Sequence, residues 1–155
     1  MTNEQIIEKL IENNITISTA ESCTGGLLGS ILTSVSGVSS IYGYGFITYA
    51  NEAKENILGV SPKTLEKYGA VSYQTACEMA KGARLKAGSD IALSITGIAG
   101  PSGGTPEKPV GLVYIAISDK RGEEYRELNL SGNRDEVRSQ TCNKVFELIK
   151  ERLLF

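Results

Sequence analysis

Short β-branched or aromatic segments alternate with amphipathic ones along the whole chain. A chain patterned this way has few ways to bury both kinds of segment. The strands must pair into a sheet, and the helices must cover its faces. Thr2 to about Asn13 reads as a helix, with capping-box spacing between Thr2 and Gln5 and with Ile6, Ile7, Leu10 and Ile11 on one face. Asn14–Thr19 reads as a strand, Cys23–Val35 as a helix stopped by Gly37, and Ile41–Ala50 as a second strand. Two short helices are expected around Glu52–Leu58 and Pro62–Tyr68, and Pro62 suits a first helical position. A longer helix follows over Tyr73–Ala87. Asp90–Thr96 has two usable faces: Ile91, Leu93 and Ile95 on one, Ala92, Ser94 and Thr96 on the other. Val110–Ser118 is a further strand, which Lys120-Arg121-Gly122 turns into an antiparallel one near Glu124–Leu130. Asn133–Leu153 is a terminal helix buried through Val137, Val145, Leu148 and Ile149. The expectation is a three-layer α/β/α domain spanning 1–155, with a mixed sheet whose strand order the pattern leaves open.

The chain contains no histidine. A hydroxyl nucleophile here needs another base, and a lysine amine is the usual substitute. With neither histidine nor a Cys-x-x-Cys pair, no metal and no cofactor are expected. The three cysteines, Cys23, Cys77 and Cys142, lie far apart and read as reduced thiols of a cytoplasmic protein. Net charge is −2 with both signs interspersed, which argues against a nucleic-acid partner. No apolar run is long enough to span a membrane, and no signal-peptide pattern opens the chain.

Three segments carry candidate chemistry. In Ala20-Glu21-Ser22-Cys23-Thr24-Gly25-Gly26, a polar glycine-rich turn joins a strand to a helix. Glycine early in a helix costs up to about 1 kcal/mol relative to alanine, so a close approach by a ligand or another backbone is expected. N–H groups of Cys23, Thr24 and Gly25 at a helix start would suit a developing oxyanion. Ser22 or Thr24 as a plain N-cap is the structural alternative, and Cys23 is a rival nucleophile without a histidine to activate it. Lys54 closes Tyr49-Ala50-Asn51-Glu52-Ala53-Lys54. With Asn51 as N-cap, Lys54 takes the third helical position, against the helix dipole, where its proton affinity falls. A solvated lysine offset by Glu52 or Glu55 is the alternative. Tyr49, at the strand end, would carry its phenol into the same cleft, unless it is only a half-buried strand tyrosine. The third segment, Gly97 to Pro109, holds four glycines and three of the four prolines and follows a buried strand, where α/β sheets bind ligands. Thr96, Gly97 and Ala99 would line such a pocket, unless the loop is only a connection.

Together, Ala20–Gly26, Phe46–Lys54, Gly69-Ala70-Val71-Ser72 and Ser94–Gly111 resemble the CinA C-terminal domain, the nicotinamide-nucleotide amidase family, over nearly the whole chain. The resemblance implies hydrolysis of the carboxamide of nicotinamide mononucleotide to nicotinate mononucleotide and ammonia, in pyridine-nucleotide recycling. It implies a metal-free dyad of Ser22 and Lys54, with Tyr49 as a third catalytic residue that relays or orients the proton. Its ligand contacts fall on Ser39, Thr96, Gly97 and an arginine, Arg134 or Arg138 one helical turn on. It further implies a homo-oligomer and a likeness to the stand-alone amidase. The alternatives are a nucleotide-binding module of a competence or repair assembly, without turnover, and an amidase for another small carboxamide.

Overall fold

The computed structural model describes residues 1–155. Its elements run α1 (Asn3–Glu12), β1 (Ile17–Glu21), α2 (Leu27–Thr33), β2 (Tyr42–Ile47), α3 (Asn51–Leu58), α4 (Pro62–Tyr68), α5 (Tyr73–Ala87), β3 (Ile91–Gly97), β4 (Leu112–Asp119), β5 (Gly122–Asn129) and α6 (Arg134–Leu153). The five strands form one sheet in the order β2-β1-β3-β4-β5. β1 is parallel to β2 and β3, while β4 is antiparallel to β3 and β5 to β4. The mixed sheet follows from connection length. Helices carry the chain between β1, β2 and β3, whereas Lys120 and Arg121 turn β4 straight back into β5.

β3 at the centre shows why the molecule has three layers. Ile91, Leu93 and Ile95 enter the large apolar core with α1, α2 and α6. Ala92 faces the other way, onto Met79 and Ala83 of α5. Residues on that second face are small, so α5 lies close: the Ser94 hydroxyl donates to the Ala76 carbonyl at 2.6 Å. A Cβ at Gly82 would collide with the Leu58 carbonyl, which fixes glycine where α5 meets the end of α3. No helix is long and apolar enough to cross a membrane.

The parallel strands give the sheet two unlike ends. Beyond Asp119 and Gly122, Arg152 of α6 binds Asp119 at 2.9 Å and Glu124 at 2.9 Å, and Arg121 adds a contact to Asp119 at 2.8 Å. That cluster ties the β4–β5 hairpin to the last turn of α6. The opposite end collects the carboxyl ends of β1, β2 and β3, the loop after β3 and the start of α6. All three segments with candidate chemistry meet there.

Candidate active site

Ser22 follows β1 directly, and its N–H donates to the Ile95 carbonyl of β3 at 3.0 Å. The serine is thereby fixed to the central strand. Cys23–Gly26 is not helical, as the pattern suggested, and α2 starts only at Leu27. The cause is Glu21. Its buried carboxylate accepts the Thr24 hydroxyl at 2.7 Å and the N–H groups of Gly26, Leu28 and Gly29 at 3.2, 2.9 and 3.1 Å. A negative charge thus caps the positive end of α2 from outside the helix. Gly25 and Gly26, at φ of +56° and +107°, let the chain wrap around it. Neither Ser22 nor Thr24 is the N-cap; Gly26 holds that position, without a side-chain bond. The helix start is filled by Glu21 and offers no free anion site. The Gly25 N–H is also taken, by the Ser22 carbonyl at 3.1 Å. The N–H groups of Cys23 and Thr24 donate to no backbone oxygen.

Lys54 reaches the same point from the other side. Ala50, not Asn51, is the N-cap of α3, so Lys54 occupies the fourth helical position and not the third. Its side chain turns back across the helix start and is 1% exposed, which excludes a solvated surface lysine. Nζ lies 3.0 Å from Ser22 Oγ, 2.7 Å from the Thr48 carbonyl and 3.2 Å from the Tyr49 carbonyl. Burial pushes the amine's pKa below its ordinary value, an effect that neighbouring Cys23 partly opposes. The three neighbours suit both protonation states. An ammonium has three N–H groups for three acceptors. A neutral amine keeps two for the carbonyls and turns its lone pair to the serine hydroxyl. Cys23, next in sequence, is buried, and burial pushes its thiol up to about 11. It stays protonated at neutral pH and is a poor nucleophile.

Other sequence-derived candidates take different places. The Tyr49 carbonyl meets Lys54, but its phenol points outward and lies 3.3 Å from the Arg134 guanidinium. Tyr49 therefore touches the serine–lysine pair through its backbone and not its ring. Arg134 also donates to the Gly100 carbonyl at 2.8 Å, beside the loop after β3. Its helix start is self-capped, because Asn133 and Glu136 form a capping box. Any anion here meets the guanidinium instead of the helix end. Arg138 donates to the Thr24 carbonyl at 2.8 Å and so backs the serine turn. Thr96 is buried, and its hydroxyl is engaged by the Ala70 carbonyl at 2.8 Å. Ala99 is buried in the core, and Gly97 admits no Cβ against β4. Thr96 and Ala99 hold the loop; they do not present free groups. Ser39 stands exposed in a 3-10 turn before β2, at the amino end of the parallel strands. One chain does not bring it to Ser22. The pattern missed Glu21 altogether, although an acidic residue ending a strand just before two glycines was the available signal.

The geometry is that of an α/β protein with a buried serine–lysine contact at the carboxyl ends of parallel strands. The chain belongs to the CinA C-terminal domain family, whose model matches residues 1–153. A protein of Acetivibrio thermocellus named for competence-damage inducibility is 56% identical over 145 residues, covering 94% of this chain and 35% of that protein. A CinA-like protein of Kosmotoga olearia is 49% identical over 151 residues, covering 97% of this chain and 37% of that one. The chain therefore spans a little over a third of the length of these relatives. The crystal structure of the competence/damage inducible protein CihA from Agrobacterium tumefaciens superposes with a TM-score of 0.93 at 42% identity, covering 96% of this chain and 92% of that chain.

Proposed function

We propose that this chain hydrolyses a carboxamide, and that its substrate is nicotinamide mononucleotide, converted to nicotinate mononucleotide and ammonia. One observation carries the reading: a buried amine, Lys54 Nζ, lies 3.0 Å from Ser22 Oγ with two carbonyls to hold its hydrogens. That is the requirement for a serine nucleophile with a lysine base. The choice of substrate rests on the family, through its resemblance to nicotinamide-nucleotide amidases.

In this mechanism Ser22 Oγ attacks the amide carbon while its proton passes to the neutral Lys54 amine. The carbonyl oxygen, now negative, takes the N–H groups of Cys23 and Thr24, which have no backbone acceptor in the resting chain. Lys54 returns the proton to the departing nitrogen, and ammonia leaves an ester on Ser22. Water, deprotonated by the same amine, then cleaves the ester and restores the hydroxyl. Arg134, bound to no carboxylate and set at the rim, takes the 5′-phosphate.

Ammonia release measured with nicotinamide, its riboside and its mononucleotide tests the reading. The mononucleotide should be the preferred substrate by at least tenfold. Binding of the mononucleotide without ammonia would make the chain a nucleotide-binding module. Release from other small carboxamides alone would keep the dyad and discard the substrate.

A further inference from the structure

Buried hydroxyls on the α5 side of the sheet find partners inside the protein, with one exception. Ser18 meets the Ser89 hydroxyl at 2.8 Å, Ser94 donates to the Ala76 carbonyl at 2.6 Å and Thr96 to the Ala70 carbonyl at 2.8 Å. Thr48, 1% exposed, is the exception: its Oγ1 is the one buried side-chain oxygen or nitrogen in the chain without a hydrogen-bond partner. A buried hydroxyl left unpaired is destabilising, and a valine would fill the same space without that cost. The backbone of Thr48 is committed on both sides. Its N–H donates to the Glu21 carbonyl at 2.9 Å, and its carbonyl accepts from Lys54 Nζ at 2.7 Å. Only the hydroxyl is uncommitted.

Its neighbour is the serine. β1 and β2 pair Ala20 with Phe46 and Glu21 with Ile47, so the next step of the register sets Ser22 beside Thr48. Ala20 and Phe46 both pack on the α5 side, and alternation puts Ser22 and Thr48 on that side too. Paired strands lie roughly 4.8 Å apart, a gap that two hydroxyls on facing Cβ atoms can close with a hydrogen bond when χ1 turns. On the other flank of Ser22 the register sets Thr96, whose hydroxyl is spent on Ala70. Thr48 is thus the free hydroxyl next to the serine.

We propose that Thr48 is a positioning residue for Ser22: its hydroxyl donates to Ser22 Oγ in the reacting arrangement of the serine–lysine pair. With Lys54 neutral, the serine hydrogen turns to Nζ, and the lone pairs of Oγ are left for a donor that Thr48 supplies. When Oγ attacks, its proton passes to Nζ and Thr48 keeps its own. The bond from Thr48 strengthens as Oγ loses its proton, and again when Oγ leaves the acyl group. It is not made in the resting chain. An interaction made only in the reacting state raises kcat and leaves substrate binding alone. The proposal rests on the amidase reading in making Ser22 the nucleophile, but not on that reading's substrate.

Thr48→Val and Thr48→Ser, compared with the wild type, test it through three measurements. These are ammonia release from the mononucleotide, thermal unfolding, and the rate at which a fluorophosphonate phosphonylates Ser22 and expels fluoride, followed by intact mass with Ser22→Ala as blank. Thr48→Val should unfold at or above the wild-type temperature, yet kcat and labelling rate should fall about ten- to a hundredfold, the worth of a hydrogen bond to an oxygen gathering charge. KM should change little. Thr48→Ser keeps the hydroxyl and loses the methyl, so it should unfold lower and still recover most of both rates. A merely structural threonine gives the opposite order, with rate following stability. Thr48→Val at wild-type rates, or Thr48→Ser as slow as Thr48→Val, would overturn the proposal. A wild type that is labelled at Ser22 but releases no ammonia would overturn the amidase reading, while the labelling rates still decide the role of Thr48. A wild type neither labelled nor active would overturn both.

Discussion

Lys54 is the residue at which burial and charge conflict most directly. An amine with almost no access to water is held by a serine hydroxyl and two carbonyls, with no carboxylate to balance it. Burial therefore favours the neutral form, which is the form a general base needs. Lys54→Met should be inactive and Lys54→Arg nearly so, since a guanidinium cannot give up its proton in a protein. An active Lys54→Arg would reduce the lysine to an electrostatic contact. Wild-type turnover should rise with pH through the lowered lysine pKa and then level off. The same shift makes a statement about stability. The folded chain holds fewer protons than the unfolded one between the lowered pKa and the ordinary 10.5. Stability of the wild type relative to Lys54→Met should therefore climb with pH across that window. Urea denaturation of both proteins from pH 7 to 10 checks this, and a constant difference would mean that the amine is not perturbed. Ser22→Ala should abolish ammonia release and leave the unfolding midpoint nearly unchanged, whereas Cys23→Ala should remain active. The reverse result would move the nucleophile by one residue.

Between residue and fold stands the serine turn, which Glu21 organises. Its carboxylate collects one hydroxyl and three N–H groups from the residues that follow it. Glu21→Gln keeps the shape but replaces one acceptor oxygen by an NH2 group facing N–H donors. Loss of a charge-assisted set of this kind should cost about 1.5–3 kcal/mol. Thermal unfolding should show that loss, and kcat should fall with it because Ser22 is no longer held against Lys54. Retained stability and turnover would show that the turn holds its shape without the charge. The elements themselves were largely legible in the chain. The capping box of α1, the proline opening α4 and the two-faced β3 follow from local rules, and they appear within a few residues of the expected bounds. The start of α2 was misread because it is set by a partner outside its own sequence pattern. Glu21 delays α2, and Lys54 folds back to reach Ser22, just after β1, and the carbonyls of Thr48 and Tyr49, just after β2. Periodicity sees neither contact. The glycines and the lysine, each read as breaking a helix rule, still marked the two turns that the structure brings together. The sheet order was not legible, since nothing local tells β1 that its neighbours are β2 and β3.

Across the whole molecule, the sheet separates an end that holds the chain together from one that gathers the serine–lysine contact and Arg134. The far end pairs its arginines with acids, as Arg152 does with Asp119 and Glu124. At the other end, Arg134 meets only the Gly100 carbonyl and the Tyr49 phenol, both neutral. Its neighbour Arg138 is committed to the Thr24 carbonyl and so to the shape of the serine turn. The two arginines, one helical turn apart, should therefore fail differently. Arg134→Ala removes a cation from the rim and leaves the turn intact. A charge-assisted contact to phosphate is worth about 1.5–3 kcal/mol, so KM for the mononucleotide should rise roughly ten- to a hundredfold with kcat little changed. The riboside, which has no phosphate, should be used as poorly as before. Arg138→Ala removes the support of Thr24, whose N–H is assigned to the oxyanion, and should lower kcat for both substrates alike. Steady-state kinetics of the two variants on the two substrates give four comparisons, and only this pattern assigns the phosphate to Arg134. A KM effect confined to Arg138→Ala would transfer the phosphate to that residue. Equal use of mononucleotide and riboside by the wild type would remove the phosphate site altogether, leaving an amidase for some other carboxamide.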